Sequence, residues 1–187
     1  MTQSSATSGI QPVSMTLYGR DFQRFSDELG GSFQRYGFAV VADHGLDEQV
    51  IEAAIDDAKA FFALPEAVKR RYHAPGTGGA RGLTPFGVEA AKGAAAVDLK
   101  EFWHVGRELP QGHPYRRYMR DNLWPTEVEG FREHLYGMFT AMDDLGRKIL
   151  RAIARSGVEL RRPLALHHVV SEEDGGLGAF ATLKRGH

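Results

Sequence analysis

Between Gly78 and Pro110 the chain gathers the side chains best suited to chemistry: Arg81, Glu89, Lys92, Asp98, Glu101 and His104, interleaved with Phe86, Phe102 and Trp103. A guanidinium such as that of Arg81 can grip a carboxylate through two parallel hydrogen bonds. An imidazole such as that of His104 titrates near neutrality and suits proton transfer. Each has a structural reading as well. Arg81 would salt-bridge Glu89 or Glu101 and hold the loop, and His104 would be a hydrogen-bonded structural residue. Phe86, Phe102 and Trp103 would either line a pocket wall or anchor a Gly-rich loop to the core. Arg81, Phe86 and Trp103 are carried forward as the candidate substrate-binding residues, and no catalytic residue is assigned. Non-periodic stretches of this length inside compact domains tend to be functional.

Metal chemistry is restricted by composition. The chain has 187 residues and no cysteine, which leaves only His and carboxylate ligands and removes disulfides and thiolate nucleophiles. The one ligand-like cluster is His167, His168, Glu172, Glu173, Asp174 and His187. His168 and Glu172 would share a face only on a helix, and Gly175 and Gly176 follow without helical periodicity, so no metal residue is assigned. The Gly76–Gly82 run lacks the Gly-Lys-Ser/Thr ending of a phosphate loop. The basic-aromatic run from Tyr115 to Arg120 reads as a solvated, locally packed segment, because a net charge of −1 gives no electrostatic footprint for nucleic acid. His44 reads as a turn or cap residue.

The elements that must position these residues are mostly helical. Residues 1–10 are Ser/Thr-rich and expected to be a disordered tail. Residues 12–15 suggest a short edge strand. A helix opens at Asp21, with Phe22, Phe25, Leu29 and Phe33 at spacings of three and four. Gly30 and Gly31 inside it suggest a close neighbour or a local bend. Phe38–Val41 reads as a short buried strand, followed by a turn at Asp43-His44-Gly45. Asp47 is the expected N-cap of a second helix that Leu64-Pro65 ends. From Glu127 a long helix is expected, its stripe running through Val128, Phe131, Leu135, Met138, Met142, Leu145, Ile149 and Ile153 to a stop at Ser156-Gly157. Residues 158–187 show no period and are expected to form a divergent, irregular tail. The N-terminus has no secretory pattern and no apolar run spans a membrane, so a cytoplasmic setting is expected.

Read in order, five short motifs resemble one family. Gly37-Phe38-Ala39-Val40-Val41 with Asp43-His44-Gly45, Phe61-Phe62-Ala63-Leu64-Pro65, Arg81-Gly82-Leu83-Thr84-Pro85-Phe86-Gly87, Asp98-Leu99-Lys100-Glu101 through Gly106, and Asn122-Leu123-Trp124-Pro125 follow one another over most of the chain. Residues 11–157 thereby resemble the N-terminal region of the isopenicillin N synthase-like family of iron(II)/2-oxoglutarate-dependent oxygenases, with Leu83 where an aromatic is usual.

The resemblance implies a fold and an activity. The fold is an α-rich α+β one: the helical N-terminal layer of a 2-oxoglutarate oxygenase with a few short strands. In the intact family a double-stranded β-helix core follows, where a His-X-Asp and a distant His hold Fe(II) and an Arg-X-Ser binds 2-oxoglutarate. Two histidines and one carboxylate leave open positions on a redox-active iron. The family couples 2-oxoglutarate decarboxylation to oxidation of a small-molecule substrate. None of those three motifs occurs after Gly157, so this chain is expected to lack most of the core, as from a truncation or a frame shift. It is expected to bind no cofactor and to be non-catalytic by itself. The alternative is a remnant or interaction module that exposes the face normally packed on the barrel, self-associating through it.

Overall fold

Asp21 caps the first long helix by accepting a hydrogen bond from the Arg24 amide at 3.0 Å, which satisfies one of the orphan donors of a helix start. In the computed structural model the described residues are 9–76, 79–90, 97 and 99–156, with the backbone of two further strands at 164–168 and 179–183. The chain divides into two compact units, Met1–Leu46 with Met142–Arg162, and Asp47–Ala141 with Pro163–His187.

In the first unit, β1 (Val13–Ser14) leads through α1 (Thr16–Arg20) and α2 (Phe22–Tyr36) to β2 (Val41–Ala42). The two strands pair in parallel, Val13 with Val41 and Ser14 with Ala42. Phe25 and Leu29 are fully buried with Val13, Met15 and Ala152, and Phe22, Phe33, Leu145, Ile149 and Ile153 pack around them. Two expectations are corrected. Residues 38–41 are not a buried strand: only Val41 and Ala42 pair, because the parallel partner is two residues long, and Phe38 and Val40 are 52% and 42% exposed. Nor is α2 interrupted at its glycines. Gly30 is buried in the helix face that packs inward, whereas no atom approaches the place a Cβ of Gly31 would occupy.

In the second unit, Asp47 accepts from the Gln49 amide at 2.9 Å and caps α3 (Glu48–Phe62). Pro65 then starts the short α4 (Glu66–Lys69), which tightens into a 3-10 turn at Arg70–Tyr72. β3 (Gly82–Thr84) and β4 (Phe102–His104) form an antiparallel pair in which Leu83 faces Trp103. A second 3-10 turn covers Pro114–Arg117. The long helix α5 spans Phe131–Arg155, not a start at Glu127. Gly130 has φ +79°, a left-handed conformation that suits glycine and breaks the helical path, and its carbonyl accepts from the His134 amide at 2.9 Å. The stripe on α5 is divided: Phe131 and Leu135 join the core of this unit, Leu145, Ile149 and Ile153 that of the other. Within the tail read as irregular, β5 (Leu164–His168) pairs antiparallel with β6 (Ala179–Leu183). No helix among the described residues is long and apolar enough to cross a membrane.

Candidate functional site

The β3–β4 hairpin is the frame of the site, and its two faces differ because side chains alternate along a strand. Leu83 and Trp103 form one face and enter an aromatic core. Trp103 lies 4.7 Å from Phe61, 5.1 Å from Phe131 and 5.9 Å from Tyr72 between ring centroids, in tilted or edge-on arrangements, the geometry favoured by the ring quadrupoles. Leu83, Phe61 and Phe131 are fully buried there. The strand is further tied to α4 by a buried ion pair, Lys69 Nζ to Glu101 Oε1 at 2.5 Å, with Lys69 Nζ also donating to the Phe62 carbonyl at 3.3 Å.

Arg81 precedes β3 and is only 5% exposed. The pairing expected for it is taken elsewhere: Glu101 is held by Lys69 and Glu89 faces Lys100 at 3.8 Å. Its guanidinium instead lies against the backbone of Gly106, where an added Cβ would collide with the guanidinium carbon and both terminal nitrogens. Nη1 donates to the Ala80 carbonyl, and Nε is buried without a partner. Gly106 is fixed from the other side by Asn122, whose Oδ1 accepts from its amide at 2.8 Å and whose Nδ2 donates to its carbonyl at 2.7 Å. Trp124 Nε1 and Arg132 donate to the two oxygens of Glu108 at 3.0 and 2.9 Å. Burial works to raise the Glu108 carboxyl, and hydrogen bonds from Arg132, Trp124 and Asn122 together with the Arg132 charge leave it below its usual value.

Arg81 opens onto a cavity of about 320 Å³. The segment after β4 supplies the rest of the wall: Arg116, Met119, Arg120, Asp121 and Leu123, with Ala74 opposite. His113 caps the Pro114–Arg117 turn by accepting from the Tyr115 amide at 3.2 Å. Arg116 donates to the Leu109 carbonyl at 2.6 Å and to Asp121 at 2.5 Å. Burial lowers the pKa of Arg81, opposed by the charge of Asp121. His104, at the end of β4, is also pushed down by burial, with the Arg81 charge adding to the effect.

The structure therefore brings Arg81 to a cavity and does not bring Phe86 or Trp103 into its lining. Phe86 is exposed on the loop after β3, and Trp103 packs in the aromatic core. Arg116 and Arg120 fall in the run expected to be a solvated, locally packed segment, and they line the cavity with Asp121, which carried no expectation. Their signal was the Arg116–Arg120 spacing of four beside a predicted turn. Lys92, Asp98, Gly157, Glu172, Glu173, Asp174 and His187 lie outside the described residues, and His167 and His168 are described as backbone alone. Among the described residues no group of three His, Asp or Glu side chains could hold a metal ion.

Comparison with known proteins agrees with this architecture. The family model described as the non-haem dioxygenase in morphine synthesis N-terminal domain matches residues 12–127. The chain belongs to that family, and thus carries an N-terminal region of the 2-oxoglutarate and iron(II)-dependent oxygenases. It is 32% identical to the proline hydroxylase buaE of Petromyces alliaceus over 72% of this chain and 42% of that protein. To the 2-oxoglutarate-dependent dioxygenase eupC of Phoma sp it is 28% identical, over 76% and 47%. The chain thus spans less than half the length of these curated relatives. A crystal structure of a 2OG-Fe(II) oxygenase family protein from Caulobacter crescentus superimposes with TM-score 0.72 at 55% identity, covering 80% of this chain and 49% of that one. Neurospora crassa T7H, solved with alpha-KG, matches in fold with TM-score 0.64 at 23% identity.

Proposed function

We propose that this chain supplies the N-terminal, substrate-side part of a cytoplasmic iron(II)/2-oxoglutarate-dependent oxygenase that oxidises a small molecule, and that it does not catalyse the oxidation by itself. The carrying observation is Arg81, a buried guanidinium at the mouth of a cavity in a motif-matched segment. Arg81 contacts the substrate, and Phe86, exposed on the adjoining loop, closes over it. Trp103 acts from behind, holding the hairpin at the right depth. The relative buaE is named for hydroxylating proline, a small molecule of the kind proposed. Iron and 2-oxoglutarate belong to the part of the enzyme that follows this region in its relatives.

Two measurements test the reading. The 187-residue chain, given Fe(II), ascorbate and 2-oxoglutarate, should release no succinate. A chimera in which residues 12–156 replace the matching half of the Caulobacter crescentus oxygenase should release it. Turnover by the chain alone, or a folded chimera without turnover, would overturn the proposal. The second reading, a self-associating interaction module, is favoured by Phe86, Val88, Val97 and Leu99, all exposed, Leu99 at 90%. Large uncovered apolar patches promote association. A monodisperse monomer with a cooperative melt would count against it.

A further inference from the structure

The segment from Arg116 to Asp121 has no role in the function proposed above, yet it completes the cavity beside Arg81. We infer that the cavity walled by Arg81, Arg116 and Arg120 binds a small carboxylate carrying a short aliphatic body. The inference rests on reading Arg81 as substrate-facing and adds the chemical class of the ligand.

Charge and burial carry it. Three arginines, Arg81, Arg116 and Arg120, line the cavity, and a single carboxylate, that of Asp121, is among the lining residues. That carboxylate is committed to Arg116 at 2.5 Å. Arg81 is buried, no carboxylate among the described residues pairs with it, and Nε has no acceptor. A buried charge is seldom left so, since removing it from water is costly unless an opposite charge and hydrogen bonds replace the solvent. Nη1 is taken by the Ala80 carbonyl, so what the guanidinium lacks is a counter-charge, which a carboxylate in the cavity supplies through a charge-assisted hydrogen bond.

Geometry favours a small ligand. The missing Cβ of Gly106 leaves room for the Arg81 guanidinium against the backbone, and Asn122 holds that backbone through two hydrogen bonds. Met119, Leu123 and Ala74 line the remaining wall, so the body of the ligand meets apolar surface. The volume of about 320 Å³ is at the lower end of small-molecule sites, roughly 300–1,000 Å³.

The test uses isovalerate, its neutral isostere isovaleramide, and inorganic phosphate, each titrated into the 187-residue chain and followed by the amide resonances of Gly106 and Asn122. Isovalerate should bind saturably and the amide at least roughly tenfold more weakly, because a charge-assisted bond is worth that much. Arg81→Lys should weaken isovalerate by about tenfold, since lysine keeps the charge and loses the planar fork. Should that buried substitution unfold the chain, Arg120→Gln on the exposed rim should weaken binding and Asp121→Asn should tighten it. A purely structural role predicts neither change. Equal binding of acid and amide, tighter binding of phosphate, or no response to Arg120→Gln and Asp121→Asn would overturn the inference. Succinate release by the chimera reports on the function separately, so a chimera that turns over while isovalerate fails to bind would leave that reading intact and sink this one.

Discussion

Glu101→Gln isolates the interaction that ties β4 to the helix before it. Lys69 and Glu101 expose only 7% and 11% of their side chains and meet at 2.5 Å, so solvent does little to screen them. Glutamine has nearly the same shape, leaves no cavity, and removes the charge that balances the ammonium. Removing one partner of a buried pair costs about 3–5 kcal/mol. The lower end applies here, because Lys69 keeps the Phe62 carbonyl at 3.3 Å and Glu66 at 3.7 Å. About 3 kcal/mol in a chain of this size lowers the melting temperature by roughly 6–12 °C. The double variant Lys69→Met with Glu101→Leu removes both charges and should lie near the parent, as hydrophobic replacements of buried pairs often do. Urea melts followed by tryptophan fluorescence report directly on the core that holds Trp103, and a double-mutant cycle separates the pair from its surroundings. If Glu101→Gln stays within about 0.5 kcal/mol of the parent, or the double variant is as unstable as the single, the pair does not hold the hairpin.

Gly106→Ala places a Cβ inside the Arg81 guanidinium and should cost about 1–3 kcal/mol by overpacking. It should also displace Arg81, seen as loss of isovalerate binding together with a lower melting temperature; unchanged binding would show that the guanidinium does not depend on that glycine. Acidification should destabilise the fold in two stages. The folded-state pKa of His104 is lowered from 6.5 by burial, so the unfolded chain takes up protons first and stability falls as pH drops below about 6.5. Glu108 is held below its ordinary 4.5, so its contribution is present above that pH and is lost as pH falls through its folded value. Melting temperature against pH for the parent and His104→Gln checks the first stage, where the variant should flatten the profile between pH 7 and 5.

Much of the scaffold was legible because it obeys local rules. Asp21 and Asp47 cap the helices they precede, and the stripes on α2 and α5 point into cores. Where the reading failed, tertiary context decided. Residues 38–41 have strand composition, but among the described residues the partner offered is two residues long. Gly31 stays helical because the turns on either side carry the buried Leu29 and the half-buried Phe33. The start of α5 was misplaced by four residues because Val128 fits the stripe while Gly130, two residues later, has left-handed backbone. At the site, residue type and motif singled out Arg81, which lines the cavity. Its surroundings were not, because they depend on a long-range exchange of partners. Lys69 takes Glu101, Lys100 faces Glu89, and Arg81 is left to a wall built some 35–40 residues onward.

The hairpin joins two three-residue strands through the residues between Thr84 and Phe102, and its register is set by Leu83 and Trp103 seated among Phe61, Tyr72 and Phe131. A connection closed by such an anchor can change length cheaply, since doubling a flexible loop adds only about 0.6 kcal/mol of closure entropy. Residues added to or removed from that connection would therefore leave the paired register in place, because Leu83 and Trp103 set it from outside the loop.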